Sequence, residues 1–171
     1  MKALSETKPI KAIELLFRGS RDGFASTTFH QKCDNKYNTV TIVRTEHKRT
    51  IAGYTFYRWN EAINNYYSNV GKQTYLLQLD IKQKYIPVSD KNLIYCHNGY
   101  GPTFGGGHDL YISNNCDTNN SSYCNFPTIY NGEGPHRYNN NQISYQAICG
   151  ATNGKNFIVT DYEVFQVIYD E

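Results

Sequence analysis

Apolar and polar positions alternate with period two along much of the chain. Ile13, Leu15 and Phe17 fall on one side of such a pattern, with Glu14 and Arg18 on the other. Val40 and Ile42 alternate with Thr39 and Thr41, and Leu77, Leu79 and Ile81 alternate with Gln78 and Asp80. A period of two marks a half-buried β-strand. Residues 51–57 and 157–169 are rich in aromatic and β-branched side chains, which fit a pleated surface. Turn-forming clusters separate these runs: His47-Lys48-Arg49, Ser89-Asp90-Lys91-Asn92 and Asn153-Gly154-Lys155-Asn156.

Two segments break the pattern. Ala25, Phe29 and Cys33 stand at i, i+4 and i+8 and predict a helix, with Ser20 and Asp22 as candidate caps ahead of it. Residues 60–67, after Trp59, predict a second, shorter helix. Beyond Leu93 the composition shifts. Residues 98–107 are glycine-rich, 114–125 are a polar run of Asn, Ser, Thr and Cys, and 131–142 are again polar. Strand-like sequence resumes on both sides, so these read as loops and not as linkers. The expected architecture is one β-rich α+β domain over residues 13–171, after a short lead of residues 1–12. It is a two-sheet antiparallel β-sandwich with small flanking helices.

Composition narrows the function classes. A chain of 171 residues with 15% aromatic side chains, 16 of them tyrosine, can bury a real core. The formal net charge is only +2, and Lys and Arg are dispersed, which argues against a nucleic-acid partner. No apolar run is long enough for membrane insertion. The first residues carry no apolar leader, and Lys2 excludes an N-terminal myristoylation motif. Five cysteines, an odd number, then predict reduced thiols and a cytoplasmic location.

The most distinctive segment is Gly101-Pro102-Thr103-Phe104-Gly105-Gly106-Gly107-His108-Asp109-Leu110-Tyr111-Ile112. It lacks the Lys and Ser/Thr of a phosphate loop and the glycine spacing of a dinucleotide site. The expectation is a glycine bend or bulge entering a buried strand. Asp109 is expected to pin that bend by accepting backbone hydrogen bonds, and a His108–Asp109 acid–base pair is the sharper alternative. Glu163 alternates onto the face of Phe165 and Val167. If that face is the core, Glu163 needs a partner such as Arg18, Arg21 or Arg58. Cys96, His97, His108, Cys116 and Cys124 have no metal-ligand spacing, so no metal or other cofactor is expected. No signature marks a nucleophilic cysteine, and Cys33 at a helix C-terminus is badly placed to be a thiolate.

These blocks also resemble a known family. Leu15 through Phe24, followed by Phe29-His30-Gln31-Lys32-Cys33-Asp34, is similar to the opening of the TLDc domain. Thr39-Val40-Thr41-Ile42-Val43, Ala52-Gly53-Tyr54-Thr55 with Trp59, the glycine motif and Val159 through Val167 follow in the family's order. The resemblance spans residues 13–167 and implies a two-sheet sandwich. It implies no catalytic residues. It further implies resistance to oxidative stress and, as in several members, protein binding to the vacuolar proton-pumping ATPase. The positions carried over are Gly105, Gly106, Gly107, Asp109 and Glu163, with His108 and Asp22 beside them as structural or interaction residues. A structural subunit of a large assembly, such as a cytoskeletal one, and an uncharacterised hydrolase or peroxide-handling enzyme are the competing expectations. The short lead and the polar stretch 131–142 depart from the family pattern.

Overall fold

A computed structural model describes residues 8–68, 74–132, 148–152 and 154–170. Most of the polar stretch 131–142 lies outside them, as does Asn153 of the last turn cluster. Strands β1 (Ile10–Arg18), β2 (Thr39–Thr45), β3 (Thr50–Thr55), β5 (Thr74–Gln78), β6 (Gln83–Pro87), β11 (Tyr130–Asn131) and β13 (Val159–Tyr169) form a seven-stranded sheet, in the order β1-β13-β2-β3-β5-β6-β11. Strands β4 (Asn65–Tyr67), β7 (Ile94–Cys96), β8 (Tyr100–Phe104), β9 (Leu110–Ser113), β10 (Ser122–Tyr123) and β12 (Asn156–Phe157) form a six-stranded sheet, in the order β12-β10-β9-β8-β7-β4. The pairings are antiparallel. Helices α1 (Gly19–Asp22) and α2 (Ser26–Cys33) follow β1. The β-rich sandwich with small helices is therefore the observed architecture.

The core lies between the sheets. Phe17, Phe29, Trp59, Phe104, Leu110, Ile112 and Phe157 are fully buried in it. Trp59 meets Phe29 and Phe104 edge-on, at 5.4 and 5.6 Å between ring centroids. Gly53 on β3 makes room for Phe104, because a Cβ there would stand 2.5 Å from the ring.

Several expectations reverse in phase. Along β2 it is Thr39, Thr41, Val43 and Thr45 that are buried, while Val40 and Ile42 point away from the other sheet and are half-buried. The Trp59 indole N–H donates to Thr39 Oγ1 at 2.9 Å, which satisfies both groups. In β5, Thr74, Leu76 and Gln78 face in and Leu77 faces out. The strand ends at Gln78, and Leu79–Ile81 is an exposed 3-10 turn, not a strand continuation. A register shift between Leu15 and Phe17 separates Phe17, which is buried, from Leu15, paired with Phe165 on the outer face, and from exposed Ile13. The helix expected over 60–67 is one 3-10 turn, Glu61–Ile63, followed by β4. Its entry is fixed by Asn60, whose side chain accepts the Ala62 N–H at 3.0 Å. Within the polar run 114–125, Ser122–Tyr123 forms strand β10.

Neither expected cap caps α2. Its N-cap residue, Ala25, offers no side-chain bond. Asn114, far along the chain, accepts the Ser26 N–H at 2.8 Å and does that work.

Candidate functional site

The glycine motif forms the β8–β9 hairpin. Gly105, Gly107 and His108 all have left-handed φ, of 85, 85 and 60°. The first two suit glycine, and the third costs a side-chain-bearing residue. A Cβ at Gly105 would lie 1.9 Å from Asp109 Oδ2, and one at Gly106 would lie 2.9 Å from Asn92 Cβ. The glycines are needed for close approach as much as for the turn.

Asp109 is fully buried. Its carboxylate accepts from the Thr128 N–H at 2.6 Å, the Thr128 hydroxyl at 2.6 Å and the Ile129 N–H at 2.8 Å. It does pin backbone, but that of a distant segment leading into β11, not its own bend. Burial pushes its pKa up to about 6, against the pull of these donors.

His108 does not meet that carboxylate. Its ring lies on the outer face of the six-stranded sheet, while Asp109 turns into the interior. There His108 is the hub of five tyrosines. Ring centroids of Tyr95, Tyr111, Tyr100, Tyr66 and Tyr123 lie 5.3, 5.6, 5.8, 6.1 and 6.1 Å from it. Backbone register builds the row. Tyr66 pairs with Tyr95, Tyr95 with Thr103, Thr103 with Tyr111 and Tyr111 with Tyr123. A β8 register shift between Tyr100 and Thr103 re-aims Tyr100 onto the same face. Adjacent rings touch at 4.7 Å for Tyr66–Tyr95 and Tyr100–Tyr111 and 5.1 Å for Tyr111–Tyr123. His97 stacks on Tyr95 at one end, and the Lys155 ammonium sits 4.4 Å over Tyr123 at the other. His108 Nδ1 is 3.0 Å from the Tyr123 hydroxyl. Burial, helped by Lys155, holds the His108 pKa below its ordinary value, which favours the neutral imidazole. All these rings are half-buried, which leaves a broad, partly wet aromatic face. Sequence reasoning missed it. The signal was present as tyrosines alternating with buried residues, as in Ile94-Tyr95-Cys96 and Leu110-Tyr111-Ile112.

The remaining predicted positions lie elsewhere. Glu163 shares a face with Phe165, as expected, but that face is the outer one of the seven-stranded sheet. There it pairs with the Arg18 Nε, and both side chains keep solvent contact. Asp22 faces backwards. It accepts the Arg18 N–H at 2.9 Å and a fork from Arg21 Nε and Nη2 at 2.9 and 2.8 Å, which hold its carboxyl far below the usual range. Beside it, Ser20 donates its N–H and hydroxyl to Asp161, tying α1 to β13.

The five cysteines are buried. Burial pushes the Cys33 thiol far up and the Cys96 and Cys116 thiols up to about 12. Cys124 and Cys149 hydrogen-bond to each other, which lowers Cys149 and leaves Cys124 raised. Among the described residues, no group of three or more His, Cys, Asp or Glu side chains is placed to hold a metal ion. No helix among them is long and apolar enough to cross a membrane. A family model described as the TLDc domain matches residues 1–168. No curated protein matches the chain.

Proposed function

The chain belongs to the TLDc domain family, and from that premise we propose that it is a non-enzymatic protein-binding module whose contact surface is the tyrosine and histidine face. One observation carries the reading: five half-exposed tyrosines gathered around His108 on a rigid sheet. Tyrosine supplies large contact area at low entropic cost, and its hydroxyl suits a wet interface. The candidate acid–base groups support the same reading, because Asp109 is engaged by three donors and His108 by its rings. The family resemblance supplies the partner, peripheral subunits of the vacuolar proton-pumping ATPase in the cytoplasm, and oxidative-stress resistance as the outcome.

Affinity purification of the tagged chain from its native cell, followed by mass spectrometry, tests this. Wild type should recover subunits of that ATPase, and Tyr95→Ser with Tyr111→Ser should lose them while the fold survives. Equal recovery by both proteins would remove the face from consideration.

A second reading, a structural subunit of a larger assembly, is favoured by the other sheet. Its outer face carries Leu15, Val40, Ile42, Leu77 and Phe165, all only half-buried. Apolar faces of this breadth mark contact surfaces. Recovery of one stable cytoskeletal complex would favour that reading.

A further inference from the structure

His30 on α2 is buried, at 2% exposure, and both ring nitrogens are engaged. Nδ1 lies 2.7 Å from Asp34 Oδ1, and Nε2 lies 2.9 Å from the His97 carbonyl and 3.0 Å from the Tyr100 carbonyl. All three partners are acceptors. A neutral imidazole has one N–H and would leave its other nitrogen's lone pair against oxygen. Only the imidazolium donates on both sides. Burial opposes the charge, but Asp34 and the two carbonyls outweigh it, and the pKa stands above its ordinary value.

What His30 holds is the turn between β7 and β8. That turn delivers His97 and Tyr100 to the aromatic face. Ser26 Oγ donates to the Asn98 carbonyl of the same turn at 2.9 Å, so α2 grips it at two points. Asp34 is the carboxylate facing the ring. From the turn, the His97 ring lies on the aromatic face and turns its Nδ1 back on its own loop, where it accepts the Gly99 N–H at 2.9 Å. On β7 the Cys96 thiol is kept protonated by burial. The pair is not sealed off. Asp34 keeps 19% of its side-chain surface, and an open depression of about 600 Å³ is lined by Thr27, Thr28, His30, Gln31, Asp34 and Asn35.

We propose that His30 is a protonation latch for the tyrosine face: the imidazolium ties the His97–Tyr100 turn to α2, and loss of its proton releases the turn and weakens partner capture. This rests on reading that face as the binding surface. Folding raises the pKa of this group. Its contribution is therefore complete below the ordinary histidine value of about 6.5 and is lost as pH rises through the folded-state value.

Long-range 1H–15N NMR of the labelled chain, titrated from below to well above about 6.5, reads the latch without a partner. Both His30 nitrogens should be protonated at neutral pH. The amides of Asn98, Gly99 and Tyr100 should move with the His30 transition, and Asp34→Asn should bring that transition to lower pH. A single neutral tautomer at neutral pH overturns the proposal, as does a transition that leaves those amides still. Capture of the ATPase subunits across the same range should fall with the His30 transition. If Tyr95→Ser and Tyr111→Ser abolish capture while wild-type capture ignores that transition, the latch is wrong and the face stands. If those variants capture normally, the reading of the face fails, and the claim on partner capture with it.

Discussion

Asp109 and Gly105 form a unit in which neither residue can change alone. Asp109→Ala leaves two partly buried backbone N–H groups and a hydroxyl without their acceptor. We expect a loss on the order of 3–5 kcal/mol in urea unfolding. Gly105→Ala drives a methyl group into the carboxylate and strains a left-handed residue. In the double variant the two costs should therefore be less than additive, since the clash disappears with the carboxylate. The pH dependence has a definite sign. The Asp109 pKa is raised to about 6, so its ionisation opposes folding. The stability from this group is complete below the unfolded value of about 3.9, and about 3 kcal/mol is lost as pH rises through 6. Asp109→Asn should flatten the stability profile between these limits, as pH-dependent urea melts would record.

At the scale of strands, the sequence carried the period and hid the phase. Alternation in β2 is real, yet the threonines face in and Val40 and Ile42 face out. Hydropathy ranks those two faces the wrong way round, because it cannot know that Trp59 will offer its N–H to Thr39. The same blindness left the face of Glu163 open and carried β5 through Leu79 and Ile81. The Asn114 cap depends on a single side-chain bond to a residue far along the chain, which no local pattern encodes. The longer strands of the seven-stranded sheet, the glycine bend and the β-rich class were legible, because each rests on local chemistry, whereas β4, β8 and β10 fall in segments that read as helix or loop. Two substitutions test the inward threonines. Thr41 Oγ1 is buried without a hydrogen-bond partner among the described residues, so Thr41→Val should stabilise by about 1 kcal/mol. Thr39→Val orphans the Trp59 N–H and should destabilise by about 1–2 kcal/mol. Equal shifts of melting temperature for the two would contradict the assigned roles.

For the whole molecule, the two layers meet where the Phe104 ring lies against the bare backbone of Gly53. Gly53→Ala forces one sheet to give way, and overpacking of this kind should cost about 1–3 kcal/mol. Calorimetry should show one cooperative transition at lower temperature, whereas unchanged stability would mean that the layers slide freely. The aromatic face is also a whole-molecule property. Tyr66, Tyr95, Tyr111 and Tyr123 come from four strands spread over more than fifty residues, and only the sheet order brings them together. The glycine motif was visible in one dimension; the surface it helps to build was not.

The backbone angle of His108 sets stability against function at one position. A φ of 60° favours glycine, and asparagine next, over most side chains. A library of replacements at 108, sorted for folding alone, would therefore enrich residues that cannot stack with five tyrosines. Drift towards a more stable domain would erode the surface, and a histidine retained there would record selection for what the surface touches.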